Sequence, residues 1–247
     1  QYMYIEGAEE QKPLKDNIIN MKRKLKDPNS KIRLGAELSR KEALDTLERI
    51  EKNPKLMKLV VKESYNNNNL GVILQDESKE NINKECLLVT RGTGGDNDIW
   101  RDSFKGIIGE LTPESLKYLN WTKAKDNEYN ITYATGHSNG GCQTQIFAVE
   151  AGKNLKEAIS FDGQGIPDDY VKRHEKEIME KKDKITSISA EFDFVNILLQ
   201  SVAGKRIYLE TDKTGENPHK STLLTYESMF DENGNYKQEK IVNQHPI

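Results

Sequence analysis

The chain is poor in cysteine, in aromatic residues and in long apolar runs. Its two cysteines, Cys86 and Cys142, are too few for a disulfide framework, so we expect two buried free thiols. Aromatic residues make up only 7% of the sequence, which weighs against a strongly interfacial protein. No apolar run approaches the ~20 residues that a membrane-spanning helix needs, so we expect no transmembrane segment.

An excess of charge of one sign is also missing. The chain of 247 residues has 37 basic and 40 acidic side chains, and a formal net charge of −3. This balance gives no reason to expect nucleic acid or an anionic membrane as a partner. The length suits one α/β domain with an added helical segment. The chain starts at Gln1 rather than at a methionine, as a trimmed or mature form would, so both a cytoplasmic and a secreted location stay open.

The first 64 residues differ from the rest. They are rich in lysine, and apolar residues between Leu34 and Ile50 recur at helical spacing. Ser39 and Glu42 have the spacing of a capping box that begins a helix. We therefore expect residues 1–64 to form an N-terminal helical segment that packs on or precedes a core domain of residues 65–247. This segment is also a candidate surface for a protein partner.

Beyond the first segment, the sequence patterns of strands and helices alternate. This alternation predicts an α/β fold with a mostly parallel sheet and helices on both faces. In such sheets the reactive groups gather beyond the carboxyl ends of the strands. We expect strands over residues 71–75, 85–90, 131–135, 156–161, 184–190 and 206–210, and helices over residues 100–104, 113–125, 142–151 and 170–182.

The most informative motif is Gly-His-Ser-Asn-Gly-Gly at residues 136–141. It fits G-x-S-x-G, the strand-to-helix turn that exposes a nucleophilic serine, and a predicted strand and helix flank it on the correct sides. The tight turn tolerates only small residues two positions before and after the serine. We therefore predict Ser138 as a nucleophile and the backbone N–H of Asn139 as an oxyanion donor. The alternative is a plain turn.

A serine nucleophile needs a base, and the chain has four histidines. His137 adjoins the serine, and we expect its side chain to point away into the flank of the strand. His174 lies on a charged helix, where it is expected to face solvent. His219 follows the last predicted strand and is the predicted base, with His245 near the C-terminus as the alternative.

The base in turn needs an acid. Asp162 and Asp193 each follow a predicted strand after the serine, and the order serine, acid, histidine suits either of them. Asp162 stands in a glycine-rich turn, where an aspartate often serves only the backbone. Asp193 is therefore the predicted acid and Asp162 the alternative.

Several motifs together resemble class 3 (fungal-type) lipases. Arg91-Gly92-Thr93, with Asp98-Ile99-Trp100-Arg101-Asp102 soon after it, is similar to their Arg-Gly-Ser/Thr motif and the Trp/Asp helix that follows. Residues 136–141 resemble their Gly-His-Ser-x-Gly-Gly elbow, and Asp193-Phe194-Val195 resembles their acid motif. The likeness covers roughly residues 70–230 and is closest to bacterial relatives of these lipases within the α/β-hydrolase superfamily.

The resemblance implies an α/β-hydrolase fold and hydrolysis of carboxylic esters through an acyl-enzyme, with no metal or organic cofactor. It also implies that Thr93 is an oxyanion donor beside Asn139. The sequence departs from the family pattern in two places: Asn139 replaces the usual apolar residue, and the stretch from Asp193 to His219 is shorter than in the fungal enzymes.

The implied substrate is a small-molecule ester or a lipid, phospholipids included. Transient contact with a lipid surface is compatible with this assignment. Residues 106–111 and 194–202 are apolar stretches that either contact an acyl chain or pack in the core. Thioesterases, serine peptidases and non-catalytic binding modules occur on the same fold and remain alternatives.

Overall fold

The computed structural model describes residues 9–31, 34, 38–66, 70–78, 84–92, 111–190, 193–209, 219 and 229. The strands among these residues form one eight-stranded sheet, in which they lie side by side in chain order. They are β1 Lys12–Pro13, β2 Leu59–Asn66, β3 Leu70–Asp76, β4 Cys86–Thr90, β5 Ile131–His137, β6 Glu157–Phe161, β7 Ile185–Ala190 and β8 Lys205–Leu209.

Six α-helices accompany the sheet in the same part of the chain. They are α1 Leu14–Lys26, α2 Arg40–Glu51, α3 Pro113–Glu128, α4 Asn139–Glu150, α5 Asp168–Arg173 and α6 Glu175–Lys181. The turn Leu56–Lys58 leads into β2, and the turn Lys182–Lys184 leads into β7.

The type of strand pairing changes once across the sheet, at β4. Strands β1 to β4 pair antiparallel, and β4 to β8 pair parallel. Because parallel strands point the same way, the carboxyl ends of β5, β6, β7 and β8 lie along one edge of the sheet. The predicted α/β class with a mostly parallel sheet is confirmed.

Helices cover both faces of the sheet. Val72 and Leu74 of β3 pack with α1 and α2, whereas Ile73 between them packs with the cluster that contains α4 residues such as Ile146. Successive residues of a strand point to opposite faces, so the two clusters lie on opposite sides. A third cluster, around Ile188 and residues of β8, lies toward the other end of the sheet.

The N-terminal segment contributes strands as well as helices. Ser39 and Glu42 form the predicted capping box, and α2 begins at the next residue. Strand β2, however, runs through the division that the sequence patterns place after residue 64. Val61 of β2 shares one apolar cluster with α1, α2 and β3, so the first segment and the domain behind it have a common core.

Candidate active site

Ser138 lies at the junction of β5 and α4. Its backbone adopts φ 58° and ψ −128°, a conformation that L-residues rarely take and that is typical of a strained functional turn. The Ser138 N–H donates to the Phe161 carbonyl at 2.9 Å, and the Ser138 carbonyl accepts from the Gly141 N–H at 2.8 Å. Hydrogen bonds on both sides therefore hold the strained turn in place.

Two of the three glycines of the motif, Gly136 and Gly140, are required by close backbone contacts. A Cβ on Gly136 would lie 2.2 Å from the Gly140 carbonyl oxygen. A Cβ on Gly140 would lie 2.4 Å from the Thr90 carbonyl oxygen at the end of β4. Both separations are far below a van der Waals contact, so only glycine lets α4 start this close to the ends of β4 and β5.

The structure brings Ser138, His219 and Asp193 into one hydrogen-bonded chain. His219 Nε2 lies 2.8 Å from Ser138 Oγ, and His219 Nδ1 lies 2.7 Å from Asp193 Oδ1. All three residues are buried. Asp193 is held by its own backbone surroundings, because Oδ1 accepts from the Val195 N–H at 3.2 Å and Oδ2 accepts from the Asn196 N–H at 2.9 Å.

The alternative acid, Asp162, has other surroundings. It directly follows β6, and its Oδ1 accepts from the Ala190 N–H at 2.7 Å. Among the described residues we find no hydrogen bond between Asp162 and His219. Burial, and next the negative charge of Asp193, raise the pKa of Asp162 well above its usual value. The alternative base, His245, lies outside the described residues.

The expectation that His137 points away from the site was wrong. Its ring stacks on the His219 ring, with centroids 4.9 Å apart and planes 26° apart. It also forms a hydrogen bond to the His219 backbone, and its Nε2 lies 4.0 Å from Asp162 Oδ2. Burial, and next the charge of His219, hold the pKa of His137 well below 6.5. The sequence signal for this contact is the position of His137, at the end of a central strand and directly before Ser138.

Of the two predicted oxyanion donors, one lies within the described residues. Asn139 is buried and is the first residue of α4, directly after Ser138. The amino terminus of a helix carries the positive end of its dipole, which favours negative charge beside it. Thr93, together with the neighbouring motif of residues 98–102, lies outside the described residues.

Two exposed apolar side chains follow the acid. Phe194 is 49% exposed, and its ring centroid lies 5.8 Å from that of His219. Ile197, three residues along the chain, is 57% exposed. A large apolar side chain, that of Phe194, is therefore accessible beside His219.

The predicted pair of free, buried thiols is confirmed at Cys86 and Cys142. Burial raises the pKa of Cys142 to about 12, so this thiol is a poor nucleophile although it lies close to the serine in sequence. Within the described part of the chain, no helix is both long enough and apolar enough to cross a bilayer.

No protein-family model matches the chain, and no curated protein matches it.

Proposed function

We propose that the protein is a serine-dependent hydrolase of carboxylic esters, of the lipase or esterase type, on an α/β-hydrolase fold. The hydrogen-bonded chain of Ser138, His219 and Asp193 carries this proposal. The site lies beyond the carboxyl ends of parallel strands, where open α/β sheets place their reactive groups. The order of nucleophile, acid and base along the chain is also that of this fold class.

The three side chains have the geometry for nucleophilic catalysis. His219 Nε2 accepts the proton of Ser138 Oγ as the oxygen attacks the ester carbonyl carbon. Asp193 accepts a hydrogen bond from His219 Nδ1–H, which fixes the required tautomer and stabilises the imidazolium. The proton then passes from Nε2 to the leaving alkoxide, and an acyl-enzyme remains. Water, deprotonated by His219, releases the acid and restores Ser138.

The tetrahedral intermediate places negative charge on the former carbonyl oxygen. The N–H of Asn139 and the positive end of the α4 dipole are positioned to stabilise this charge. Thr93 as a second donor stays a prediction that the family resemblance supplies.

The rim of the site favours an apolar acyl group. The exposed side chain of Phe194 offers apolar contact area next to the proposed base, and the exposed Ile197 follows three residues along the chain. Burial of apolar surface contributes about 25 cal/mol per Å², so a medium-length acyl chain gains more from this rim than acetate does. Transient contact with a lipid surface would use the same side chains.

The direct test is hydrolysis of p-nitrophenyl esters from acetate to palmitate, with the wild type beside Ser138→Ala. We expect the variant to lose a factor on the order of 10³ to 10⁶ in kcat/KM while it keeps its fold. A fluorophosphonate probe should label the wild type and not the variant. Thioesters and peptide amides, assayed in parallel, separate the esterase from a thioesterase or a peptidase. Equal turnover by both proteins would refute the assignment of Ser138.

A further inference from the structure

We propose that His137 is a positioning residue that holds the base, His219, over Ser138. The inference rests on the proposed function, because it assigns a role within the same site. It concerns a side chain that takes no direct part in the mechanism described above.

The backbone of His137 is held by the sheet. It is the last residue of β5 and pairs with Phe161 of β6, in the parallel part of the sheet. Strands flank β5 on both sides, so its backbone is fixed by two ladders. His219, in contrast, comes from the stretch that follows β8 and needs contacts from elsewhere to fix its position.

Two contacts of His137 supply that constraint. Ring stacking at a centroid distance of 4.9 Å sets the plane in which the His219 imidazole lies. The hydrogen bond to the His219 backbone is a second link between the two residues. Together with the bond from His219 Nδ1 to Asp193, these contacts fix position, plane and tautomer, as a preorganised site needs.

The surroundings of His137 favour its uncharged form. The titratable groups that face the His219 ring in the described residues are Asp193 and His137, and Asp162 lies behind His137. Because burial and the charge of His219 lower the pKa of His137, its ring is uncharged near neutral pH. An uncharged ring can stack on the imidazolium formed during catalysis without repelling it.

The test separates the two contacts with three variants. His137→Phe keeps an aromatic face without a hydrogen-bond donor, His137→Asn keeps a donor without the ring, and His137→Ala keeps neither. We expect His137→Ala to lower kcat on the order of 10- to 100-fold, since a shift of about 1 Å in a catalytic group costs this much. KM should change little. The kcat of His137→Phe and that of His137→Asn should each lie between those of His137→Ala and the wild type.

A second readout does not depend on turnover. NMR of protein labelled with ¹⁵N-histidine reports the tautomer of His219, whose signals are assigned with His219→Ala. The wild type should show a single Nδ1–H tautomer, and His137→Ala should show a mixture. His174→Ala is the matched control, because it removes a similar ring stack, on Tyr170 at 4.2 Å and 27°, away from the site. The control should change neither kcat nor the His219 signals.

The outcomes distinguish this inference from the proposed function. If the wild type hydrolyses esters and His137→Ala keeps both kcat and the His219 tautomer, the inference is wrong and the proposed function stands. A lower melting temperature with unchanged kcat would likewise make His137 merely structural. If the wild type is inactive, the proposed function fails and the tautomer of His219 in the variants decides the inference. Should His137→Ala not fold, His137→Phe and His137→Asn decide it in the same way.

Discussion

Replacement of Asp193 by asparagine tests the hydrogen-bonded chain most sharply. The Asp193 carboxylate is enclosed by three N–H groups, those of His219 Nδ1, Val195 and Asn196. An amide has one oxygen and one NH₂ group, so it cannot accept from both sides. If its NH₂ faces His219, Nδ1 must become the acceptor and Nε2 carries the proton toward Ser138. The same NH₂ group then also opposes the Val195 N–H, which donates to this position in the wild type. If its NH₂ faces Asn196, two donors oppose each other and one buried N–H loses its partner.

The first orientation removes the base, because a protonated Nε2 cannot accept the proton of Ser138. Each orientation also leaves one backbone N–H without an acceptor, that of Val195 in the first and that of Asn196 in the second, at a cost of about 1–3 kcal/mol. Both orientations also lose the negative charge that stabilises the imidazolium. In serine proteases the corresponding change lowers kcat about 10⁴-fold, or about 5.4 kcal/mol at 1.36 kcal/mol per factor of ten. We expect Asp193→Asn to lower kcat here by a similar factor.

The assay is hydrolysis of p-nitrophenyl butyrate at pH 7, with Asp162→Asn as the matched control. Both variants change a buried aspartate at the carboxyl end of a strand to the same amide. Asp162→Asn should cost less than about tenfold, because Asp162 has a raised pKa and no described hydrogen bond to His219. A loss within tenfold of wild type for Asp193→Asn, or an equal loss for Asp162→Asn, would refute the assignment of the acid.

Three further predictions concern stability, each measured by urea unfolding. The folded pKa of Asp162 is raised above its unfolded value, so the contribution of Asp162 to the stability of the wild type falls as the pH rises above about 4. Asp162→Asn should therefore gain stability relative to the wild type between pH 4 and pH 7, and a pH-independent difference would contradict this. Gly140→Ala should cost about 1–3 kcal/mol or more, because its Cβ meets the Thr90 carbonyl oxygen, and an unchanged midpoint would show that α4 can move away. Ser39→Ala should cost about 0.5–2 kcal/mol through loss of the capping box, whereas Ser30→Ala, outside the helix, should cost little.

The features of the site that the sequence predicts depend on short stretches of neighbouring residues. The glycines at 136 and 140 and the strand before them place Ser138 at a turn, and the structure places a strained turn there. The preference for Asp193 over Asp162 came from local turn chemistry, and Asp193 is the aspartate that contacts His219. The prediction of His219 rests on setting the three other histidines aside and on its position after the last predicted strand, and the structure places it 2.8 Å from Ser138.

What could not be predicted depends on contacts between distant segments. The sequence patterns do not predict strand β2, because its apolar run is short and follows a segment with helical patterns. The helix expected over residues 170–182 is divided into α5 and α6 at His174, whose φ of −114° and ψ of 21° leave the helical region. The His174 ring stacks on Tyr170 there and approaches Glu150 of α4 to 3.8 Å. Helical periodicity cannot reveal a break that accompanies contacts with another helix.

The same distinction predicts that the proposed base, His219, is the member of the site most sensitive to substitutions elsewhere. Ser138 is fixed by a backbone turn, and Asp193 by N–H groups two and three residues away, so local sequence determines both positions. His219 is fixed through side chains from β5 and from the stretch after β7, which are far from it in sequence. Substitutions that loosen these distant contacts should therefore lower kcat before they unfold the protein. We expect the largest such loss of kcat for substitutions of His137.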